Sequence, residues 1–279
     1  MKLEDAAVGI ERRPVSACID LAVLFARGHA PQVLILAAAF GGPACLAVGL
    51  AGMNLAGSLL LFFFLSPFLG AALVAASGRR VFGESFSAAA GLRAVGRRLP
   101  ALIAYTLFSR IAIALFSPCA IIPGLLFATR YGFIAEVLLL EDLRGGRFRH
   151  RVVELPAKTF NELAGRLAGI IAFTACAALS IFTLIDISSG VLFGLPVLLG
   201  RLPSPLKDPG ETLRAAMDLL VSDPTAVLVL TAVLWLLCPI ARIAWFLCYL
   251  DVRIRKECWD VELDFRVEAR RLGAAGAVR

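Results

Sequence analysis

The stretch Leu59-Leu60-Leu61-Phe62-Phe63-Phe64-Leu65 decides the fold, because no charge lies near it. It sits inside an uncharged run from Pro31 to Ser77, which Arg79 and Arg80 bring to a close. A helix of about 20 apolar residues matches the hydrocarbon thickness of a bilayer, so this run is long enough for two crossings. Similar runs recur along the chain. Apolar residues make up 59% of the 279 and charged residues 18%, with a mean hydropathy of +0.85. Ordinary soluble domains are roughly 45–50% apolar, and a soluble chain of this composition could not cover its surface. The expected fold class is therefore all-α: a polytopic membrane helical bundle forming one domain over residues 1–279, with no room for a separate soluble domain.

Working outward from that run, six spans are expected, at about residues 31–50, 56–77, 99–117, 119–140, 167–185 and 224–250. Gly41-Gly42-Pro43 predicts a kink or a short loop in the first span, and Pro123-Gly124 a bend near the start of the fourth. Glu141 and Asp142 end the fourth, and Asp186 is expected to stop the fifth. Asp223 before Pro224 gives the sixth an N-cap acceptor followed by proline at its first position. The segment 1–30 contains Glu4, Asp5, Glu11 and Asp20 and lacks a signal-peptide layout, so no cleaved leader is expected.

The basic residues are unevenly placed. Segments 1–30, 78–98, 141–166 and 251–279 hold 22 of the 28 Lys and Arg residues, and the connector between spans five and six holds Arg201, Lys207 and Arg214. With six spans, all four rich segments fall on one side. By the positive-inside rule that side is the cytoplasm of a plasma membrane, with both termini there. The net charge of +7 thus reports topology and contact with anionic headgroups, not nucleic acid. Amphipathic basic stretches at 14–28, 84–98 and 146–165 each precede apolar segments, in what is either a weak architectural repeat or ordinary hairpin alternation. Val191 to Gly200 is apolar but too short to cross, hence interfacial or re-entrant. Residues 209–221 read as a short helix on the outer surface, opened by Asp208-Pro209-Gly210-Glu211.

Few residues can carry chemistry. The seven cysteines contain no CxxC pair, and most lie in apolar runs, where cysteine acts as a small hydrophobe. His29 and His150 lie far apart, so no metal or other cofactor is expected. The sequence holds no phosphate loop, no nucleophile–base arrangement and no convergent carboxylate pair. What remains is charge at membrane depth, where each ion costs roughly 2.5–3.5 kcal/mol on insertion scales. Arg110, Arg130, Glu136 and Arg242 all fall within spans. Arg130 and Glu136 are too far apart on one helix to pair, but Arg110 or Arg242 can reach Glu136 from another span. These residues either line a polar path or form structural and snorkelling contacts. Three cations against one acid hint at contact with an anion or a headgroup.

After the sixth span comes Tyr249-Leu250-Asp251-Val252-Arg253-Ile254-Arg255-Lys256-Glu257-Cys258-Trp259-Asp260-Val261-Glu262. Asp251 and Arg255, Arg253 and Glu257, and Lys256 and Asp260 have i,i+4 spacing. A helix continuing span six over 251–272 is expected, locking the basic connectors together through ion pairs. This Tyr-x-Asp-x-Arg-x-Arg-Lys-Glu-x-x-Asp-x-Glu pattern resembles the tail of bacterial polytopic membrane proteins related to the membrane domain attached to some glycerophosphoryl diester phosphodiesterases. Ile122-Pro123-Gly124 through Arg130 and Tyr131 to Leu140-Glu141 is similar to that family's Pro-Gly span. Cys258, where glycine is expected, and Glu136, in a span usually uncharged, depart from the pattern. The resemblance implies a bacterial inner-membrane location and no activity, since the soluble phosphodiesterase barrel and its ligands are missing.

The leading expectation is a non-enzymatic scaffold or accessory subunit whose cytoplasmic face contacts anionic lipid or a partner protein. The competing one is a transporter or lipid-handling permease using the charges between spans. A membrane-embedded enzyme comes third. A permease predicts polar groups converging near the midplane with discontinuous helices around them. A scaffold predicts isolated, paired or snorkelling charges around an apolar core.

Overall fold

The computed structural model describes residues 14–81, 84–116, 121–141, 143, 145–195, 197–198, 201–202 and 209–257. Among these the fold is all-α. The chain order is α1 (Val15–Gly28), α2 (Ala30–Ala51), α3 (Leu55–Val81), α4 (Ala88–Arg97), α5 (Leu99–Phe116), α6 (Ile121–Arg130), α7 (Ile134–Leu140), α8 (Gly145–Ala157), α9 (Phe160–Phe193), α10 (Pro209–Ser222) and α11 (Pro224–Glu257).

Among the described residues, five helical stretches are long and apolar enough to cross a membrane: Ala30–Ala51, Leu55–Val81, Ile122–Leu140, Phe160–Phe193 and Pro224–Lys256. A sixth exists only as the pair Ala88–Arg97 and Leu99–Leu115, bent by 82°. Five to six apolar helices fit a multi-pass membrane protein. The expected third span is thus α5, joined through that bend to an amphipathic helix.

Several local expectations give way. Pro43 lies inside α2, which runs unbroken from Ala30 to Ala51, so there is no loop at Gly41-Gly42-Pro43. The fourth span is interrupted at Tyr131-Gly132-Phe133, between α6 and α7, a break the sequence does not signal, while Pro123-Gly124 lies near the start of α6. Asp186 does not stop the fifth span. It lies inside α9, and its Oδ1 accepts from the amides of Val197 at 2.7 Å and Leu198 at 2.9 Å. Those bonds tie the returning segment after Gly194 back onto the helix, which removes the reason for the carboxylate to end it. The stretch 146–165 divides into α8 and the first turns of α9. Residues 209–221 do form a helix, α10. Asp223 Oδ1 accepts from the amides of Thr225 at 2.7 Å and Ala226 at 3.2 Å, so α11 has its side-chain cap. The tail is described as helical as far as Glu257; the rest of 251–272, including Asp260, lies outside the described residues.

α11 is the central helix, packed against α1, α2, α3 and α9. Two stretches, residues 69–78 of α3 and 243–252 of α11, are buried on every side, as expected of a helix ringed by other helices. The α3 stretch is rich in small residues. Close approach of backbones, not hydrophobic exclusion, drives association inside lipid, and small residues permit it. A Cβ at Gly91 of α4 would stand 2.4 Å from the Ala72 carbonyl oxygen of α3, so only glycine fits that crossing. The amphipathic connectors are not loose. Cys18 and Ala22 of α1, Ala88 and Val95 of α4, and Phe148, Val152 and Leu155 of α8 all join the main buried cluster. Their basic residues surround it, and this end of the bundle is called the basic face below. Nearer the other end, Ser58 of α3 lies 2.5 Å from the Thr231 hydroxyl of α11. Thr231 in turn donates to the Val227 carbonyl, which makes Ser58 the donor across the helices.

Candidate functional site

The break between α6 and α7 places two groups against α11, the Gly132 carbonyl and the Glu136 carboxylate. The Gly132 carbonyl at the break accepts from Trp245 Nε1 at 3.0 Å and, at 3.5 Å, from Arg242 Nη1. In the first turn of α7, Glu136 is fully buried, and both its oxygens accept from Arg242 Nη2 at 2.8 Å. Two glycines make this geometry possible. A Cβ at Gly70 would stand 2.8 Å from Cδ and Nε of Arg242, and one at Gly132 would stand 2.7 Å from the Trp245 ring. The arginine stem therefore lies across α3 where α3 has no side chain.

Beside this pair opens a cleft of about 460 Å³. Its walls come from α3, α5, α9 and α11, with the α6–α7 break at one side. Around it the helices close a ring, α11 on α3, α3 on α5, α5 on α6, α6 on α9 and α9 on α11. The lining is mostly apolar, with Ile113, Leu167, Ile170, Ile171 and Leu234 among its residues. The cleft is not sealed, since Ile171 on its wall is 53% exposed. Pro67 of α3 is a lining residue, and Pro239 of α11 follows Cys238, another. A proline inside a helix removes one backbone hydrogen bond and frees a carbonyl.

Arg110 lines the same cleft, its guanidinium 4.5 Å from the centre of the Phe63 ring. It lies close enough to Arg242 for the two cations to repel. Among the described residues no acid is paired with Arg110, while Arg242 is held by Glu136. Two of the hydroxyls on the cleft wall are engaged within their own helices, for Ser109 donates to the Thr106 carbonyl at 2.8 Å and Thr174 to the Ile170 carbonyl at 2.7 Å. Of the four intramembrane charges singled out from the sequence, the structure brings Arg110 and Arg242 to one cleft, and Glu136 lies buried behind it, paired with Arg242. Arg130 ends α6 on an exposed side and is not among the cleft's residues. Sequence reasoning missed Gly70, Gly132 and Trp245; an aromatic donor spaced one turn from an intramembrane arginine was the available signal for Trp245.

The tail residues build a second cluster, at the basic face. Asp251 Oδ2 lies 2.7 Å from Arg166 Nη1 of α9 and 2.8 Å from Arg255 Nη2. Glu162 completes the square, accepting from Arg166 at 2.7 Å and from Arg255 at 2.9 Å. Glu141, just past α7, accepts from Tyr249 Oη and from Arg151 Nε of α8, both at 2.8 Å, with Arg253 Nε at 3.9 Å. Lys256 Nζ donates to the Glu154 carbonyl of α8. Asp251, Arg253, Arg255 and Lys256 therefore fasten α11 to the 141–166 connector, and among the described residues none of these ties reaches 78–98. The partners expected for Arg253 and Lys256 along the helix, Glu257 and Asp260, fall where side chains are not described.

At the opposite end Asp223 combines its cap with an ion pair to Arg201. Burial alone would raise its carboxyl. The amides of Ala226 and Thr225 and the Arg201 guanidinium outweigh that and hold it below the usual carboxylate range.

No family model matches the chain, and comparisons with curated proteins and with solved structures also return no match.

Proposed function

We propose that the protein handles an amphiphilic molecule inside the bilayer, as a transporter or lipid-handling permease whose binding site is the cleft, with its basic face in the cytoplasm. One observation carries this reading: Arg110 and Arg242 line a single open, mostly apolar cleft at a break in an apolar helix, with the buried Glu136 holding Arg242 from behind. Charged groups beside an interrupted helix are a recurrent arrangement for binding within a membrane, and the cleft lies within the roughly 300–1,000 Å³ of ligand sites. A scaffold requires no such opening. The role is non-enzymatic, since binding and movement need neither nucleophile nor general base. The exposed Arg93 and Arg97 of α4 and Arg147 and Arg149 of α8 favour the accessory contact with anionic headgroups that a scaffold would also use.

Native mass spectrometry of protein taken from its own membrane into mild detergent tests this. The wild type is expected to retain a bound amphiphile that Ala175→Phe, which fills the cleft wall, loses. Equal adducts on both proteins, or none on either, would remove the support for a cleft that binds.

A further inference from the structure

Resting on that cleft reading, we infer that the bound molecule carries one negative charge at the head of an acyl chain, either a carboxylate or a phosphodiester, and that Arg110 selects it. The charge count is the first reason. Arg110 and Arg242 give two cations and Glu136 gives one anion, which leaves the cleft one positive charge in excess. An ion at membrane depth is stable only when paired or hydrated. Arg242 has its partner on both carboxylate oxygens. Arg110 has an aromatic face instead, so its N–H groups remain for an incoming oxyanion.

The second reason is the division of donors and walls. The Ser109 and Thr174 hydroxyls give their protons to their own helices and offer only lone pairs to the cleft. A neutral or cationic head would find acceptors there but would leave Arg110 unanswered. An anion answers Arg110 and adds no repulsion beyond that from Glu136, which Arg242 already neutralises. Ile113, Ile171 and Leu234 line the way for one chain. A second chain of a diacyl lipid would stay in the bilayer past the exposed Ile171.

Trp245 lines the cleft and reports on its occupant. A full-length protein with Trp235→Phe and Trp259→Phe keeps only this indole. In a non-brominated detergent, its fluorescence is titrated with dibromostearate, with dibromostearyl alcohol and with a brominated phosphatidylglycerol. An anionic probe is expected to quench at a concentration about tenfold or more below the alcohol. Arg110→Gln should erase that preference, and Arg110→Lys, which keeps the charge, should retain most of it. Quenching by stearate alone identifies a free carboxylate as the source, and quenching by phosphatidylglycerol alone a lipid headgroup; either supports the charge rule. If the alcohol quenches as well as the anions, the charge rule is wrong while the cleft reading survives. A preference that survives in Arg110→Gln overturns the assignment to Arg110. If no probe quenches the protein more than it quenches the same protein carrying Ala175→Phe, the cleft reading itself fails.

Discussion

Removing the Glu136 carboxylate would leave the Arg242 guanidinium inside the bundle with the Gly132 carbonyl as its described acceptor. Breaking one side of a buried pair costs about 3–5 kcal/mol. Glu136→Gln should therefore lower thermal stability in detergent by about 3 kcal/mol, the low end because the arginine keeps some contact with the cleft. Adding Arg242→Met should recover part of the loss; a double variant no more stable than the single one would mean that the pair is not the source. Gly70→Val should act through the same arginine, pushing its stem off α3 and weakening the bond to Glu136. Sequence alone made Glu136 conspicuous, because an acid in an apolar run demands a partner. It could not choose between Arg110 and Arg242, since the pair spans 106 residues of chain and depends on how α7 meets α11. Arg130 shows the limit of that reasoning: locally it resembles Arg110, yet its helix turns it away from the cleft.

Among the helices, α9 and α11 show what local pattern hides and reveals. The sequence places the start of α11 correctly, because Asp223-Pro224 contains the whole cap within four residues. It ends α9 too early, because the amides that satisfy Asp186 come from Val197 and Leu198 after a reversal that no local signal announces. Asp223→Ala should cost about 1 kcal/mol through the lost cap. The sign of the pH effect follows from the lowered Asp223 carboxyl. The cap contributes above the ordinary carboxylate pKa and fades as pH falls through the folded value. The stability gap between wild type and Asp223→Ala should accordingly be full at neutral pH and close in acid; a gap that widens on acidification would contradict it. Gly91→Ala should destabilise the α3–α4 contact by about 1–3 kcal/mol, since backbone and not a flexible side chain stands in the way.

For the molecule as a whole, the distribution of charge makes orientation testable. In a cysteine-free background, a cysteine replacing the exposed Met217 of α10 should react with an impermeant thiol reagent on intact cells. Labelling only after lysis would invert the proposed orientation. Truncation after Leu250 removes Asp251, Arg253, Arg255 and Lys256 together, and with them the ties to α8, α9 and Glu141. The truncated protein should lose protease resistance at residues 141–166, where all the described ties fall, and unchanged resistance there would show that the tail fastens nothing. The class of fold was legible because composition and run length are properties of the whole chain. The cleft was not, because six separate helices build it. The central place of α11 also bears on biosynthesis. α11 emerges from the ribosome after the helices that pack round it, so a nascent chain holds Glu136 without Arg242 while 106 residues are added, about 5–20 s at typical elongation rates. During that interval the acid must sit protonated, wait at the translocon, or lean on a holding factor. Slowing translation between codons 136 and 242 should then raise the fraction of chains degraded before completion.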